Sequence, residues 1–270
     1  MFYRRFTVRI MLWSLLIALS SGWLSAAQMG EKVLRELETD RPDATESPVT
    51  VDRGRFQLES SFVTFTRDDR DGTRTESLGI MESNIKIGLR DDTDLQLIVT
   101  PYQKETSKTG GVETSAADIS DLTLRLKHNL WGNDDGATAF GLLPFVKIPS
   151  GSAISNGEWE GGLALPFSWR AGERWGLGAQ AQVDRVVDEG DGGKDWAFSH
   201  TLVLGIDLTS RVGVYLEYLG VAGDHPYNSF FSGGLTYALR EHLQLDAGTL
   251  IGLNAEAEDL TVFTGFSWKF

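Results

Sequence analysis

The chain has 270 residues, with 25 Lys and Arg against 38 Asp and Glu and a formal net charge of −13. An acidic balance of that size argues against a nucleic-acid partner, whose phosphates demand clustered cationic side chains. With 0 cysteines, neither a disulfide framework nor a thiolate metal site can be built.

Residues 1–27 read as an export signal rather than as part of the fold. Arg4, Arg5 and Arg9 form a basic start and Ile10 to Leu19 a short apolar core. Ser25, Ala26 and Ala27 supply the small residues a signal peptidase reads, so cleavage is expected before Gln28. The competing reading is an N-terminal anchor, which needs roughly 18 or more apolar residues to cross a bilayer as a helix; this run is shorter. Removing three arginines leaves 22 bases against 38 acids, a net charge of −16.

Residues 28–53 form a second region, charged and apolar from Glu31 to Leu37 and then polar through Asp40, Arg41, Pro42 and Asp43. Proline biases the residue before it toward extended backbone. Two arrangements are open for this segment: a periplasmic tail, or a stretch that folds back into the lumen of a barrel built by residues 54–270 and narrows it from the periplasmic side.

From residue 54 to 270 the sequence alternates apolar and polar residues in blocks of about ten, the period-2 signature of strands. Leu122, Leu124, Leu126 and Leu130 oppose Thr123, Arg125, Lys127 and Asn129. Leu163, Leu165, Phe167 and Trp169 oppose Ala164, Pro166, Ser168 and Arg170, and Trp175, Leu177, Ala179, Ala181 and Val183 oppose Gly176, Gly178, Gln180, Gln182 and Asp184. The pattern predicts twelve strands, near 55–66, 77–90, 94–104, 118–130, 137–148, 159–170, 174–187, 196–208, 211–220, 229–240, 243–253 and 259–270. Connections after even strands are tight, such as Asp91-Asp92-Thr93, Thr209-Ser210 and Glu241-His242. Those after odd strands, such as Arg67 to Glu76, Glu105 to Ala117 and Pro149 to Glu158, are longer and polar. An even strand number with short turns on one side and long loops on the other is the layout of an all-β transmembrane antiparallel barrel of a bacterial outer membrane. Trp159, Trp169, Trp175, Trp196, Tyr218, Tyr237 and Trp268 cluster toward strand ends, where amphipathic rings sit at the two membrane interfaces. The alternative for these rings is an ordinary packed core.

The last strand shows the alternation most plainly. Leu260, Val262, Phe266, Trp268 and Phe270 share one face, and Thr261, Ser267 and Lys269 the other. A terminal aromatic behind alternating apolar residues resembles the signal read by the barrel assembly machinery, so that machinery is an expected partner, with lipid and lipopolysaccharide around an expected monomer.

Side chains on the lumen parity are the functional candidates: Lys86, Arg125, Lys127, Arg170, Gln180, Gln182, Asp184, Glu217 and Asp246, with Lys269 beside them. Twelve strands enclose more room than side chains alone fill. Charges of both signs there fit either paired networks or a selectivity filter. Catalytic readings are weaker. His128 and His242 fall near short turns, and His225 precedes Pro226 in a long loop. His200 lies near the outer end of a strand beside Ser199, but sequence neighbours in a strand point to opposite faces and cannot pair. A lipid or ester hydrolase would need a serine from a neighbouring strand. The acidic loops Asp188 to Asp195 and Asp68 to Gly72 lack the ligand spacing of a calcium loop and read as solvated. No catalytic residue, metal or cofactor is expected.

Two stretches carry a family resemblance: Thr39 to Val51 with Gly54 to Glu59, and Pro144 to Gly151. Both are similar to the outer-membrane channel and transporter family named for the meta-pathway of phenol degradation, and the likeness runs from about residue 38 to the C-terminus. An aromatic is expected after the Asp of the Thr39-Asp40-Arg41-Pro42-Asp43 element, and this chain has Ala44 there. The resemblance implies a twelve-stranded channel for small, often hydrophobic or aromatic, molecules. The other functions left open are the barrel hydrolase and a structural or adhesion barrel acting through its loops.

Overall fold

The computed structural model describes residues 34–134, 136–187, 192–223 and 226–270. The export signal, Gln28, the loop positions 188–191 and His225 lie outside the described residues. Every regular element among the described residues is a strand: β1 (Phe56–Arg70), β2 (Thr73–Arg90), β3 (Thr93–Val99), β4 (Tyr102–Thr109), β5 (Val112–Asp118), β6 (Leu122–Trp131), β7 (Thr138–Ile148), β8 (Glu160–Arg170), β9 (Trp175–Val187), β10 (Lys194–Asp207), β11 (Val212–Ala222), β12 (Asn228–Arg240), β13 (Leu243–Gly252) and β14 (Leu260–Lys269).

These make twelve staves. β3 and β4 are the two halves of one, interrupted at Thr100 and Pro101, and both pair with β2. β5 and β6 are the halves of the next, paired with β4 and β3 respectively. Proline has no N–H for the ladder, which accounts for the break. All pairings between strands are antiparallel, and β1 pairs with β14 as well as β2, so the sheet closes on itself. At the seam Phe56 N–H donates to the Phe270 carbonyl at 3.0 Å and Phe270 N–H donates back at 2.9 Å. Closure pairs both edges of the wall, which a hydrocarbon surrounding requires, while β5, in a hairpin that projects past it, pairs on one side only.

Two stretches expected as long loops are instead strand. Residues 67–76 and 105–117 extend the wall as hairpins past the predicted ends. Their tips are Asp71-Gly72 (φ 51° and 78°) and Gly110-Gly111 (φ 58° and 84°). Consecutive positive φ values give a turn whose twist matches the flanking strands, and Asp-Gly and Gly-Gly are its sequence signals. The polarity of the flanking residues masked that signal.

The burial pattern is inverted relative to a water-soluble protein. Among the largest fully buried side chains are Lys86, Lys127, Gln96, Glu59, Glu217 and Asp94, while Leu202, Leu216, Leu235, Phe231 and Ile251 are exposed on the outer wall. Trp159, Trp169, Trp175, Trp196, Tyr218, Tyr237 and Trp268 are also exposed there. An apolar outer band with aromatic girdles is what lipid selects, and a polar interior is what closure then encloses.

Candidate functional site

Alternation along the strands turns the charged residues of β1, β2, β6, β11 and β13 inward, and residues 35–53 lie against them. The segment forms a loop whose arms are tied together by the Ser47 N–H, which donates to Asp40 Oδ1 at 3.0 Å. One arm begins at the short-turn end, where the Arg35 guanidinium donates to the Asp91 carbonyl (2.7 Å) and Asp134 (2.8 Å), and Lys269 donates to the Arg35 and Glu36 carbonyls. The other returns there, with Thr50 N–H on Asn133 (2.9 Å) and Val51 N–H on Asp94 (2.9 Å). Arg53 bridges Gly88, where an added Cβ would overlap the Asp52 carbonyl oxygen. Only glycine allows the loop to lie so close to β2.

Between the arms the loop crosses the lumen. Asp40 receives Lys86 and Lys127, each at 2.5 Å, and Lys86 also reaches Glu59. Glu59 in turn accepts the Asp40 N–H (3.0 Å) and Arg41 N–H (3.1 Å). Arg41 makes a two-point contact with Asp246 (2.6 and 3.2 Å), bonds Ser61 and lies 5.6 Å over the Phe263 ring. Farther across, Glu217 accepts the N–H groups of Ala44 (2.9 Å) and Thr45 (2.8 Å) and the Thr45 hydroxyl (2.6 Å). Glu46 pairs with Arg125, and its N–H donates to Gln180 at 3.0 Å. Wall carboxylates thus take the loop's backbone N–H groups, and charge-assisted bonds of that kind are about twice as strong as neutral ones.

The loop's own carboxylates respond to this setting. Burial opposes ionisation of Asp40, but Lys127 and Lys86 hold its carboxyl well below the usual range. Burial pushes Asp43 well above that range, and the facing Glu217 adds to it. Glu46 is raised to about 7 by burial, which outweighs the pull of Arg125. Glu38 is raised as well, again by burial.

Past these contacts, toward the short-turn ends of β7 to β12, the loop stands off from the wall. A cavity of about 770 Å³ opens there, between the loop's Glu38, Arg41, Asp43 and Glu46 and the wall's Ala139, Ser168, Gly176, Gly178, Val203 and Gly205. The wall residues are small, and a Cβ on Gly205 would meet nothing within 4 Å. Gly176 and Gly205 carry no side chain, which leaves the space between them and the loop open.

The expected pore residues divide accordingly. Lys86, Lys127, Glu217 and Asp246 are buried, Gln180 nearly so, and together with Arg125 they hold the loop. Arg170 lines the cavity. Gln182 and Asp184 form a ladder with Gln180 along β9, Gln182 donating to Asp184 at 2.9 and 3.0 Å. Sequence reasoning did not single out Glu59, Asp52 or Asp94 as loop anchors. Their signal was a carboxylate on the inward parity of a strand, or just before one. His200 faces outward, and its Nε2 lies 3.2 Å from the Tyr227 hydroxyl, itself 2.7 Å from Tyr218. Tyrosine, rather than serine, is its hydroxyl partner among the described residues. Asp69 pairs with Arg67 and Arg74, and Asp68 with Arg70.

The family model described as "Putative MetA-pathway of phenol degradation" matches residues 39–270, from the first residue of the Thr39-to-Asp43 element to the terminal Phe270. The chain belongs to this family. Among solved structures it is similar to the COG4313 outer membrane channel from Pseudomonas putida F1, at 15% identity and a TM-score of 0.62, over 86% of this chain and 100% of that one. It is also similar to the NanC porin (11% identity, TM-score 0.51, 80% and 100% covered) and to the translocator domain of autotransporter NalP from Neisseria meningitidis (11%, 0.50, 97% and 96%). Curated protein sequences include no match. Likeness at this identity carries the fold: this is a barrel of the bacterial outer membrane.

Proposed function

We propose that the barrel is a passive channel for small molecules, with no chemistry of its own, and that the loop of residues 35–53 is its constriction. The observation that carries this reading is the cavity of about 770 Å³ left between the loop and the glycine-rich arc of the wall. A catalytic barrel would need a nucleophile in reach of a base, and His200 is held by Tyr227 on the lipid side. The permeants we assign are small and hydrophobic or aromatic, in keeping with the family's description. Recognition by the assembly machinery through Phe270 and a monomeric state complete the proposal, supported by the outward apolar face of β14 and by the self-closed sheet.

Purified protein in planar bilayers tests it. Stepwise conductance is the expected result. Silence in the bilayer, together with ester or phospholipid hydrolysis lost in His200→Ala, would replace the channel with an enzyme.

A further inference from the structure

Docking the loop leaves the lumen with an unequal distribution of charge. Most of the inward-facing bases are occupied. Lys86 and Lys127 are 2% and 1% exposed and end on Asp40, Arg125 ends on Glu46, and Arg41 ends on Asp246. Toward the long-loop end, Lys147 is shared between Asp121 (3.3 Å) and Glu160 (2.8 Å).

The acids are not matched in the same way. Glu36, Glu173 and Asp207 border the cavity, where the bases are Arg41, already held, and Arg170, which faces Glu38. Higher in the barrel, Glu82 pairs in register with inward Ser61, and Asp184 is bonded to neutral Gln182. A solute moving through the barrel therefore meets carboxylates from one end to the other, between low-dielectric walls that focus their field.

The arc between them, above the loop, is apolar. Leu219, Val221, Phe230, Leu250 and Phe263 alternate with outward residues on β11 to β14, on the same parity as Glu217, Asp246 and Lys269. Leu219 and Phe230 are direct cross-strand partners. The lumen thus sets an apolar arc between acidic side chains on β2 and β9.

We propose that the channel discriminates by charge: it passes cationic and neutral amphipathic solutes and rejects organic anions such as carboxylates and phenolates. The apolar body of the solute slides along β11 to β14 while its polar or cationic end faces the carboxylates. Charged rings of one sign tune what a pore passes, and here the surplus is negative. This deepens the channel reading and rests on it.

The test is the reversal potential of the purified wild-type channel under a steep KCl gradient, joined to liposome swelling with benzylammonium and with benzoate, solutes of similar size and opposite charge. The expected results are a potential of cation-selective sign and entry of benzylammonium several-fold faster than benzoate. Neutralising the cavity rim in Glu36→Gln/Glu173→Gln/Asp207→Asn should move the potential toward zero, with heat-dependent gel mobility confirming that the variant is folded. A zero or anion-directed potential in the wild type, or benzoate entering as fast as benzylammonium, overturns the proposal while leaving a channel. Absence of any conductance removes the channel itself and this proposal with it.

Discussion

The two sides of the lumen treat the inner loop in opposite ways. Along β1, β2 and β6 the wall grips it with long charged side chains, Glu59, Lys86, Arg125 and Lys127, whose ends are buried and mutually paired. Toward the short-turn ends of β8 to β10 the wall offers Gly176, Val203 and Gly205 and recedes. Closure of the barrel here is the work of ion pairs, and the opening is the work of missing side chains. The same barrel width is filled on one side and left empty on the other by residue choice alone.

Several substitutions would break or sharpen that contrast. The largest effect is expected for Lys86→Met, which removes the cation paired with buried Glu59 and leaves buried Asp40 with Lys127 alone. Breaking a buried pair by removing one partner costs about 3–5 kcal/mol. Cleavage of residues 36–50 by added protease in detergent should accelerate markedly, while the barrel keeps its heat-dependent gel mobility. Unchanged protease resistance would show that the grip does not run through Lys86.

Next in size is Gly205→Leu. The new side chain meets no neighbour near its Cβ and projects into the cavity, so conductance should fall by roughly half with stability preserved. Gly178→Leu is the contrasting case, since its Cβ would lie 2.7 Å from Val203 and 3.2 Å from Thr45. There the loop's apex is displaced, and channel noise should rise rather than conductance simply drop.

A smaller effect is expected of Thr45→Val, which removes the hydroxyl shared by Glu217 and Thr201. One such bond contributes about 1 kcal/mol net. Open-channel fluctuation should increase modestly, and Thr45→Ser should restore the quiet state.

The smallest is a pH effect. Glu38, Asp43 and Glu46 titrate higher in the docked loop than in a free one because burial opposes their charge, Glu46 near 7 despite the pull of Arg125. The docked state therefore holds more protons, and raising the pH from about 5 to about 8 should weaken docking. Asp40 is shifted the other way, but that contribution is already complete above the ordinary carboxylate range and does not change between about pH 5 and 8. Greater channel fluctuation at pH 8 than at pH 5 is the expected outcome; the reverse order would assign control to other groups.

Much of this was legible in the sequence, for reasons that can be named. Strict alternation in β6, β8, β9 and β14 assigned the two faces correctly, because a lipid-facing wall tolerates few polar exceptions. Lys86, Arg125, Lys127, Glu217 and Asp246 were recognisable as inward charges by parity. Their roles were not. Whether an inward lysine lines a passage or anchors a loop depends on what lies across the barrel, up to 205 residues away in the case of Arg41 and Asp246. Gly205 was equally silent, since a glycine's importance here is the volume it leaves free. The extended hairpins at Asp71-Gly72 and Gly110-Gly111 were missed because their flanks are polar on both faces, where alternation gives no signal.

In the channel proposed above, residues 35–53 narrow the passage from within. Single-channel recording of the barrel lacking residues 36–50 tests it most directly. The account predicts a conductance clearly larger than that of the intact protein, through a barrel that still shows heat-dependent gel mobility. Identical conductance and gating in the two proteins would contradict it.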